Sequence, residues 1–283
     1  ALPYVPAGRL VRLLRAALAN PGLVAAILVL GAVAVAAAWP QLFTSLDPLR
    51  GRGAERLLPP SAAHLFGTDQ LGRDLFTRVV YGAAESVKAV FVAVLIGLFA
   101  GSAIGLVAGY VGRWVDDVLM RIVDVLLSVP PLLIALAVIS ALGFGTANIA
   151  IAVGIGFVSS FARVMRAEVL KVRETAYVEA TAFAGIGPFR VLLRHVLPNA
   201  VGPVLVLAAL DLGMAILSVS ALSFLGFGAP PPAPEWGLLV AGGRDYLATA
   251  WWLTTLPGLV VLATVLSANR IARALDGSRH ATF

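Results

Sequence analysis

Residues 89–111 read AVFVAVLIGLFAGSAIGLVAGYV, a run of 23 residues without a charged side chain. A helix that crosses a bilayer needs about 20 mostly apolar residues, and this run is apolar all round rather than along one stripe. It therefore predicts a membrane-spanning helix. Five further segments share this character, although the shortest of them needs its flanking residues to reach across: 23–43, 118–142, 147–162, 200–225 and 249–268.

The composition agrees with a membrane protein. Of 283 residues, 60% are hydrophobic and 13% are charged, whereas soluble domains average about 45–50% and 25%. A water-soluble chain of this size cannot hide that much apolar surface in one core, which excludes a soluble globular enzyme as well as a disordered chain. The alternation typical of membrane β-barrels is missing. We therefore predict an all-α integral membrane protein with six transmembrane helices.

The first apolar segment also has features of a secretory signal. Arg9, Arg12 and Arg15 precede it, and small residues follow near position 37. A signal peptide has an apolar core of only about 7–15 residues, and this run is longer. Because five more apolar segments follow, we predict that it is retained as a transmembrane helix.

The distribution of basic residues predicts the orientation. If the N-terminus lies inside, the inner segments hold 14 Lys and Arg against 7 Asp and Glu, and the outer segments hold 7 against 7. Basic residues concentrate in cytoplasmic loops, so we expect both termini in the cytoplasm, and the net charge of +6 is no sign of nucleic-acid binding. The expected divisions are an N-terminal cytoplasmic segment, a first helix with an external loop, a five-helix core that contains a cytoplasmic loop, and a cytoplasmic tail: 1–22, 23–80, 81–272 with 163–199, and 273–283.

Sequence patterns of catalysis are absent. The chain contains no Gly-Lys pair, so it has no phosphate-binding P-loop, and it has neither an H-E-x-x-H nor a G-x-S-x-G motif. It has no cysteine, and its three histidines lie far apart in the sequence. We therefore predict no enzymatic activity, no cofactor and no metal site. Energy for any active transport would come from a partner or from an ion gradient.

Residues 174–199, here called the hairpin loop, predict two short amphipathic helices. Gly185 and Gly187 provide a helix stop, and Pro188 suits the first turn of the next helix. Pro198 is expected to end the second helix before the fifth span. Such a projecting element is typical of a docking site for a partner. On these residues alone, the alternative interpretation is an interfacial, arginine-rich helix lying on the inner leaflet.

The spacing in this loop resembles the E-A-A…G…L-P motif of ABC-transporter importer permeases. Glu179 and Ala180 are followed by Gly185, and Leu197-Pro198 comes twelve residues after that glycine. Thr181 stands where the family usually has a second alanine. The ending Arg194-His195-Val-Leu-Pro-Asn199, together with Tyr177, is similar to the peptide and nickel importers. The resemblance implies that this loop is the coupling helix, which binds the ATPase subunit.

Residues 67–74, GTDQLGRD, form a second signature that we call the GTD segment. Two glycines permit tight turns and the charged residues can pair locally, so a hydrogen-bonded cap at the mouth of the bundle is one interpretation. The segment also resembles the G-T-D-x-L-G-R-D sequence of C-type permeases from dipeptide and oligopeptide importers. The residues that match this motif are Gly67, Thr68, Asp69, Gly72, Arg73 and Asp74. Residues 223–237 and Ser128-Val-Pro130 are similar to the same permeases.

The resemblance implies a type I ABC importer permease fold in the plasma (inner) membrane. It implies three partners: a second homologous permease, one or two cytoplasmic ATP-binding subunits and an extracytoplasmic substrate-binding protein. The expected cargo is a dipeptide or oligopeptide. Nickel or another small solute is the alternative cargo, and a self-contained secondary transporter is the alternative class.

Polar residues within the spans are few. Arg121 and Asp124 are three residues apart and are expected to pair with each other. Asp211 lies near the middle of the fifth span, where a carboxylate needs a cavity, a hydrogen-bonding partner or a proton. It is therefore either part of the pathway, facing a cationic group of the cargo, or a buried structural residue. Pro130, Pro131 and Pro257 predict kinks. Ser128 and Pro130 are grouped with Asp211 as possible pathway or structural residues.

Overall fold

The computed structural model describes the backbone of residues 20–280 and the side chains of residues 20–274 other than that of residue 182. The arginine-rich part of the N-terminal segment and the end of the C-terminal tail lie outside these residues. Within them the chain is helical, with one isolated β-bridge and no strand. The prediction of an all-α fold is confirmed.

Eleven α-helices follow one another in the described part of the chain. They are α1 Pro21–Ala38, α2 Leu75–Ile96, α3 Ser102–Val111, α4 Arg113–Ser128, α5 Pro131–Leu142, α6 Thr146–Arg173, α7 Ala176–Phe183, α8 Pro188–Val191, α9 Leu197–Leu222, α10 Trp236–Gly242 and α11 Trp252–His280. Three π-helical turns join or extend them: Gly97–Gly101 between α2 and α3, Leu192–Val196 between α8 and α9, and Ser223–Phe227 after α9.

Five helical stretches are long and apolar enough to cross a membrane, and a sixth span arises if the bent pair α4 and α5 is counted as one. The spans therefore agree with the predicted number, but the third is not a straight helix, since α5 turns by 95° from α4. Val129 and Pro130 are both extended, because a residue before proline is sterically pushed out of the helical region. The expected kink at Pro130 is thus a full break, whereas α11 continues through Pro257.

Glycines on the second span determine the tightest packing in the bundle. Gly97, Gly101, Gly105 and Gly109 recur every four residues and so share one face of the helix. A methyl group added at Gly101 would collide with the Val158 carbonyl oxygen of α6, and one added at Gly105 would collide with that of Ala162. Small residues allow helix backbones in membranes to approach this closely. The second and fourth spans therefore form the centre of the bundle, while α1 packs at its edge on α2 and α11.

Candidate functional site

The hairpin loop contains the two predicted helices, α7 and α8, with a sharp break between them. Gly185 has φ +77° and Gly187 is extended at φ −57° and ψ 144°. The amide of Ala184 donates to the carbonyl of Ala180, which closes the last turn of α7. Apart from the adjacent residues of the chain, no described atom lies within 4 Å of where a Cβ would stand at either glycine. The glycine at 185 is therefore required by its left-handed backbone, which is unfavourable for other residues, and not by crowding.

Three of the predicted loop residues form one hydrogen-bonded cluster. The Tyr177 hydroxyl donates to the His195 carbonyl at 2.9 Å, and the Asn199 side-chain amide donates to that carbonyl at 2.6 Å and to the Tyr177 hydroxyl at 2.8 Å. This cluster ties α7 to the start of the fifth span. The sequence contained all three residues but gave no indication that the main-chain oxygen of His195 would join them.

The helix after the break does not end at Pro198, contrary to the prediction. It continues from α8 through a π turn at Leu192–Val196 into α9. Proline lacks the amide hydrogen that an α-helical turn uses, and the wider π turn just before Pro198 accommodates the missing bond. The hairpin loop is therefore continuous with the fifth span.

One further contact anchors the hairpin loop to the second span, and another joins the ends of two spans beside the loop. The Tyr110 hydroxyl at the end of α3 donates to the Pro188 carbonyl at 2.6 Å. The Arg173 guanidinium at the end of α6 donates to the carbonyls of Gly109 and Tyr110 at 3.1 and 3.0 Å. Val178 and Val191 are buried beneath the two short helices. The loop therefore connects the end of α6 to α9 and is hydrogen-bonded to the end of α3.

The outer surface of the hairpin loop is apolar at its tip. Phe183 and Phe189 flank the glycine break and are 91% and 72% exposed. Glu179, Ala180, Arg194 and Pro198 are also exposed, whereas Thr181, His195 and Leu197 are half-buried. Large exposed aromatic side chains commonly anchor protein interfaces. The two phenylalanines were not among the predicted site residues, although two aromatic residues beside a glycine turn were a usable signal.

Ion pairs connect α4 to α6 near the base of the loop. The Nε and Nη2 atoms of Arg166 donate to the two oxygens of the Asp116 carboxylate, and Arg163 pairs with Asp124 at 2.7 Å. The expectation that Asp124 would pair with Arg121 is wrong. The partner lies 39 residues away in the sequence, because α4 crosses α6 at this point and brings Arg163 within reach.

The GTD segment is a buried hydrogen-bonded unit. The Asp69 carboxylate accepts from the backbone amides of Leu71 and Arg73 and from the Arg73 guanidinium at 2.6 Å. Asp74 caps the N-terminus of α2 by accepting from the Thr77 amide and also contacts His64 at 2.8 Å. Gly67 and Gly72 both have φ +74°, as the two tight turns require. Local pairing of these charges, which the sequence suggested, is confirmed.

Glu235 and Trp236 connect the outer end of the bundle to its core. Glu235 is fully buried, caps α10 and accepts from the Ser86 hydroxyl at 3.2 Å. The Trp236 indole donates to the Val79 carbonyl at 2.9 Å, and the Trp252 indole donates to the Thr68 carbonyl at 3.3 Å. These contacts fix the segment before α10 to α2, which the GTD segment caps, and they fix the GTD segment itself to α11.

Asp211 lines a cavity of about 270 Å³ between α5, α6 and α9. The hydroxyl-bearing residues Ser160 and Ser218 share this cavity with apolar side chains. Ser128 and Pro130, which the sequence grouped with Asp211 as possible pathway residues, are not in its wall; Ser128 donates to the Val125 carbonyl of its own helix. Pro131 is the member of that region that reaches the cavity.

Comparison with known proteins identifies the family. Residues 101–280 match the family described as "binding-protein-dependent transport system inner membrane component". The chain belongs to this family of transport permeases. The permease is 41% identical over 240 residues to the dipeptide transport system permease protein DppC of Alkalihalophilus pseudofirmus, which covers 85% of this chain and 78% of that protein. It is 42% identical over 214 residues to the probable D,D-dipeptide transport system permease protein DdpC of Escherichia coli, with 76% and 72% covered.

Solved structures support the same fold. The permease aligns with a chain of the inward-facing MetNI methionine ABC transporter with a TM-score of 0.55 and 19% identity, over 70% of this chain and 96% of that one. A chain of an amino acid ABC transporter aligns with the same TM-score at 15% identity, over 70% and 92%. The predicted type I importer permease fold and the resemblance to ABC importer permeases are confirmed. The permease is a multi-pass membrane protein of a transport family.

Proposed function

We propose that this permease forms half of the translocation pathway of an ATP-driven importer of dipeptides or oligopeptides. The names of its relatives support the cargo, since proteins about 40% identical over most of the chain are described as dipeptide and D,D-dipeptide transport permeases. A second homologous permease would supply the other half. A substrate-binding protein would deliver the peptide to the outer face of the plasma (inner) membrane, with both termini of the permease in the cytoplasm.

The hairpin loop is the proposed contact with the ATPase. The observation that carries this assignment is an exposed apolar tip, Phe183 and Phe189, on a base that is continuous with α6 and α9 and hydrogen-bonded to the end of α3. Glu179, Ala180, Thr181, Gly185, Leu197 and Pro198 would form or shape the surface that enters a groove of the partner. Interface energy is usually concentrated in a few such buried aromatic anchors.

The anchoring contacts suggest how ATP would drive transport. When ATP binding moves the ATPase subunits, the hairpin loop is displaced with them. Tyr110 bonds the loop to α3, Arg173 bonds the end of α6 to α3, and the loop runs directly into α9. The displacement therefore passes to these spans instead of being absorbed locally. The cavity lined by α6 and α9 would then open alternately to the two sides of the membrane.

On the opposite side of the membrane, the GTD segment would form a rigid surface to which the substrate-binding protein binds. The charged side chains of this segment are buried and paired with other groups of the protein. They would therefore stabilise the segment and not contact cargo. Leu71 in the segment and Leu65 just before it are 53% and 59% exposed. These two side chains offer the apolar contact points.

Deletion and complementation in the source organism test the cargo. Removing the gene should abolish ATP-dependent uptake of labelled Ala-Ala, and the intact chain should restore it while an ATPase co-purifies with it. Loss of nickel uptake with normal peptide uptake would contradict the peptide assignment. Transport by the chain alone, without an ATPase, would contradict the importer assignment.

A pair of phenylalanine variants tests the loop contact. Phe183→Ala removes the proposed anchor, and the amount of ATPase that co-purifies should fall at least about tenfold, since an anchor of this kind commonly contributes 2 kcal/mol or more. Phe99→Ala is the matched control, because Phe99 is 69% exposed but lies in the π turn between α2 and α3. Equal ATPase recovery with both variants would count against the proposed docking surface.

A further inference from the structure

Asp211 is a carboxylate placed midway along an apolar helix. It lies 14 residues after the first residue of α9 and 11 before the last, or about 16–21 Å from either end at 1.5 Å per residue. Its Oδ2 atom is enclosed by protein and has no hydrogen-bond partner in the described part of the chain. An ionised carboxylate in such a place is costly unless a partner offsets its desolvation. The charge is therefore offset either by a proton or by a group outside the described residues.

The cavity beside Asp211 has the size and lining for a small cationic group. Its volume is about 270 Å³, whereas one water molecule occupies about 30 Å³ in the liquid, so an ammonium group fits together with several attached carbon atoms. Ser160 and Ser218 add two hydroxyl groups, and Phe157, Leu132 and other apolar side chains complete the wall. Among the described residues, no Lys, Arg or His lines the wall.

We propose that Asp211 binds the terminal ammonium group of a peptide as it passes through this cavity, an inference that rests on the proposed peptide-importer function. An ammonium group is a compact positive charge with three hydrogen-bond donors. The carboxylate accepts one or two of them, the serine hydroxyls can accept the remainder, and the apolar wall accommodates the first side chain. Asp211 and the two serines would thus select cargo with a free amino end.

The same lining argues against a metal ion as cargo at this site. Nickel and similar ions favour several imidazole, thiolate or carboxylate ligands. The cavity offers one carboxylate and no imidazole, and no group of three His, Cys, Asp or Glu side chains suited to a metal exists in the described residues. One carboxylate also holds an ammonium weakly enough for release, as a transport pathway requires.

Protection of a cysteine tests the site in the complete transporter. The chain has no cysteine, so Met214→Cys, which replaces an exposed residue of the cavity wall, provides a single reporter in this subunit. Ala-Ala should slow its alkylation by a small maleimide, and N-acetyl-Ala-Ala at the same concentration should not. Leu205→Cys, an exposed position on the same helix outside the cavity, should react at a rate that neither peptide changes.

Substitution of Asp211 then identifies the group that recognises the ammonium. With the Met214→Cys reporter, Asp211→Asn should raise the half-protecting concentration of Ala-Ala at least about tenfold, because hydrogen bonds to charged groups are the stronger class. Asp211→Glu keeps the charge and should stay within about threefold of the parent. Equal protection by both peptides, or unchanged protection in Asp211→Asn, would overturn the proposal.

Assembly and transport distinguish the remaining outcomes. If Asp211→Asn reduces recovery of the second permease and weakens protection by both peptides equally, Asp211 pairs with a cation of the partner subunit and the proposal is wrong. The parent complex carrying Met214→Cys must also take up Ala-Ala with ATP. If it transports no peptide, the proposed function itself fails; if it transports peptide but Asp211→Asn behaves like the parent, only the ammonium site fails.

Discussion

Gly185 is the residue at which the hairpin loop reverses direction. Its φ of +77° is strained for any residue with a Cβ, and most of all for a β-branched one. Gly185→Val should therefore distort the tip that carries Phe183 and Phe189. We expect transport and ATPase recovery to fall at least about fivefold, since such strain is worth about 1–3 kcal/mol, while the amount of inserted protein stays unchanged. Uptake of labelled peptide and co-purification measure the two effects.

Gly187 provides the matched control for this prediction. It is two residues away, equally open, and has an extended backbone that valine adopts readily. Gly187→Val should retain most of the transport activity. If both valine variants transport normally, the left-handed turn is not important for coupling, and if both fail, bulk at the tip rather than backbone strain is responsible.

Single residues were predictable from the sequence only where their partners were local. The helix stop at Gly185 and the pairing of Asp69 with Arg73 both follow from neighbours within a few positions. The partners of Asp124 and Tyr177 lie 39 and 18 residues away, and helix crossings determine them. Sequence spacing therefore gave Asp124 the wrong partner, Arg121, because the nearest opposite charge along the chain is not the nearest in space.

The second and fourth spans are held together by close contact rather than by large side chains. Gly105→Ala would place a methyl group against the Ala162 carbonyl, and overpacking of this kind costs about 1–3 kcal/mol. Gly31→Ala on α1 meets no atom within 4 Å and should be neutral or stabilising by up to about 1 kcal/mol, as alanine favours helices. Thermal unfolding of the two variants in detergent should shift in opposite directions or by clearly different amounts. A stable Gly105→Ala variant would contradict the close packing.

The ion pairs between α4 and α6 make a second, separable contribution to the stability of the bundle. Asp116→Asn removes the charge that accepts the two hydrogen bonds from Nε and Nη2 of Arg166. We expect a loss of about 1–3 kcal/mol in stability because the carboxylate is largely buried. Asp117→Asn alters the exposed neighbouring carboxylate and should change stability by about 0.5 kcal/mol or less. The melting temperatures of both variants provide the measurement. Equal shifts would show that the pair does not stabilise the contact.

Element boundaries were less predictable than element number. Hydropathy located all six apolar segments, because exposing unpaired backbone groups or charges to lipid is so costly that a span must be an apolar helix. Hydropathy did not show that the second span begins at Leu75, because polar residues at the end of a span are stabilised by specific contacts such as the Asp74 cap. It also did not show that a helix runs through Pro198. The 95° turn at Pro130 and the π turns depend on local backbone geometry that average hydropathy does not contain.

At the scale of the whole molecule, the cavity shows what sequence patterns leave out. The sequence identified Asp211 as an isolated charge, but it could not place Ser160, Ser218 and Pro131 beside it, because these residues come from three helices. The motifs, by contrast, lie on the two ends of the bundle. The GTD segment is fixed to Trp252 and the hairpin loop to Tyr110, so the partner surfaces proposed for them would lie at opposite ends, with the cavity between them.

That arrangement requires the two ends to face opposite sides of the membrane, and cysteine labelling tests it. Ser61→Cys and Ala248→Cys place reporters at exposed positions on the end with the GTD segment, and Thr175→Cys and Ala184→Cys place them on the hairpin loop. The excess of basic residues around the loop predicts that it is cytoplasmic. In intact cells an impermeant maleimide should therefore modify the first two cysteines and leave the other two unmodified until the membrane is opened. The opposite pattern would place the loop outside, out of reach of a cytoplasmic ATPase, and the coupling role proposed for it would be wrong.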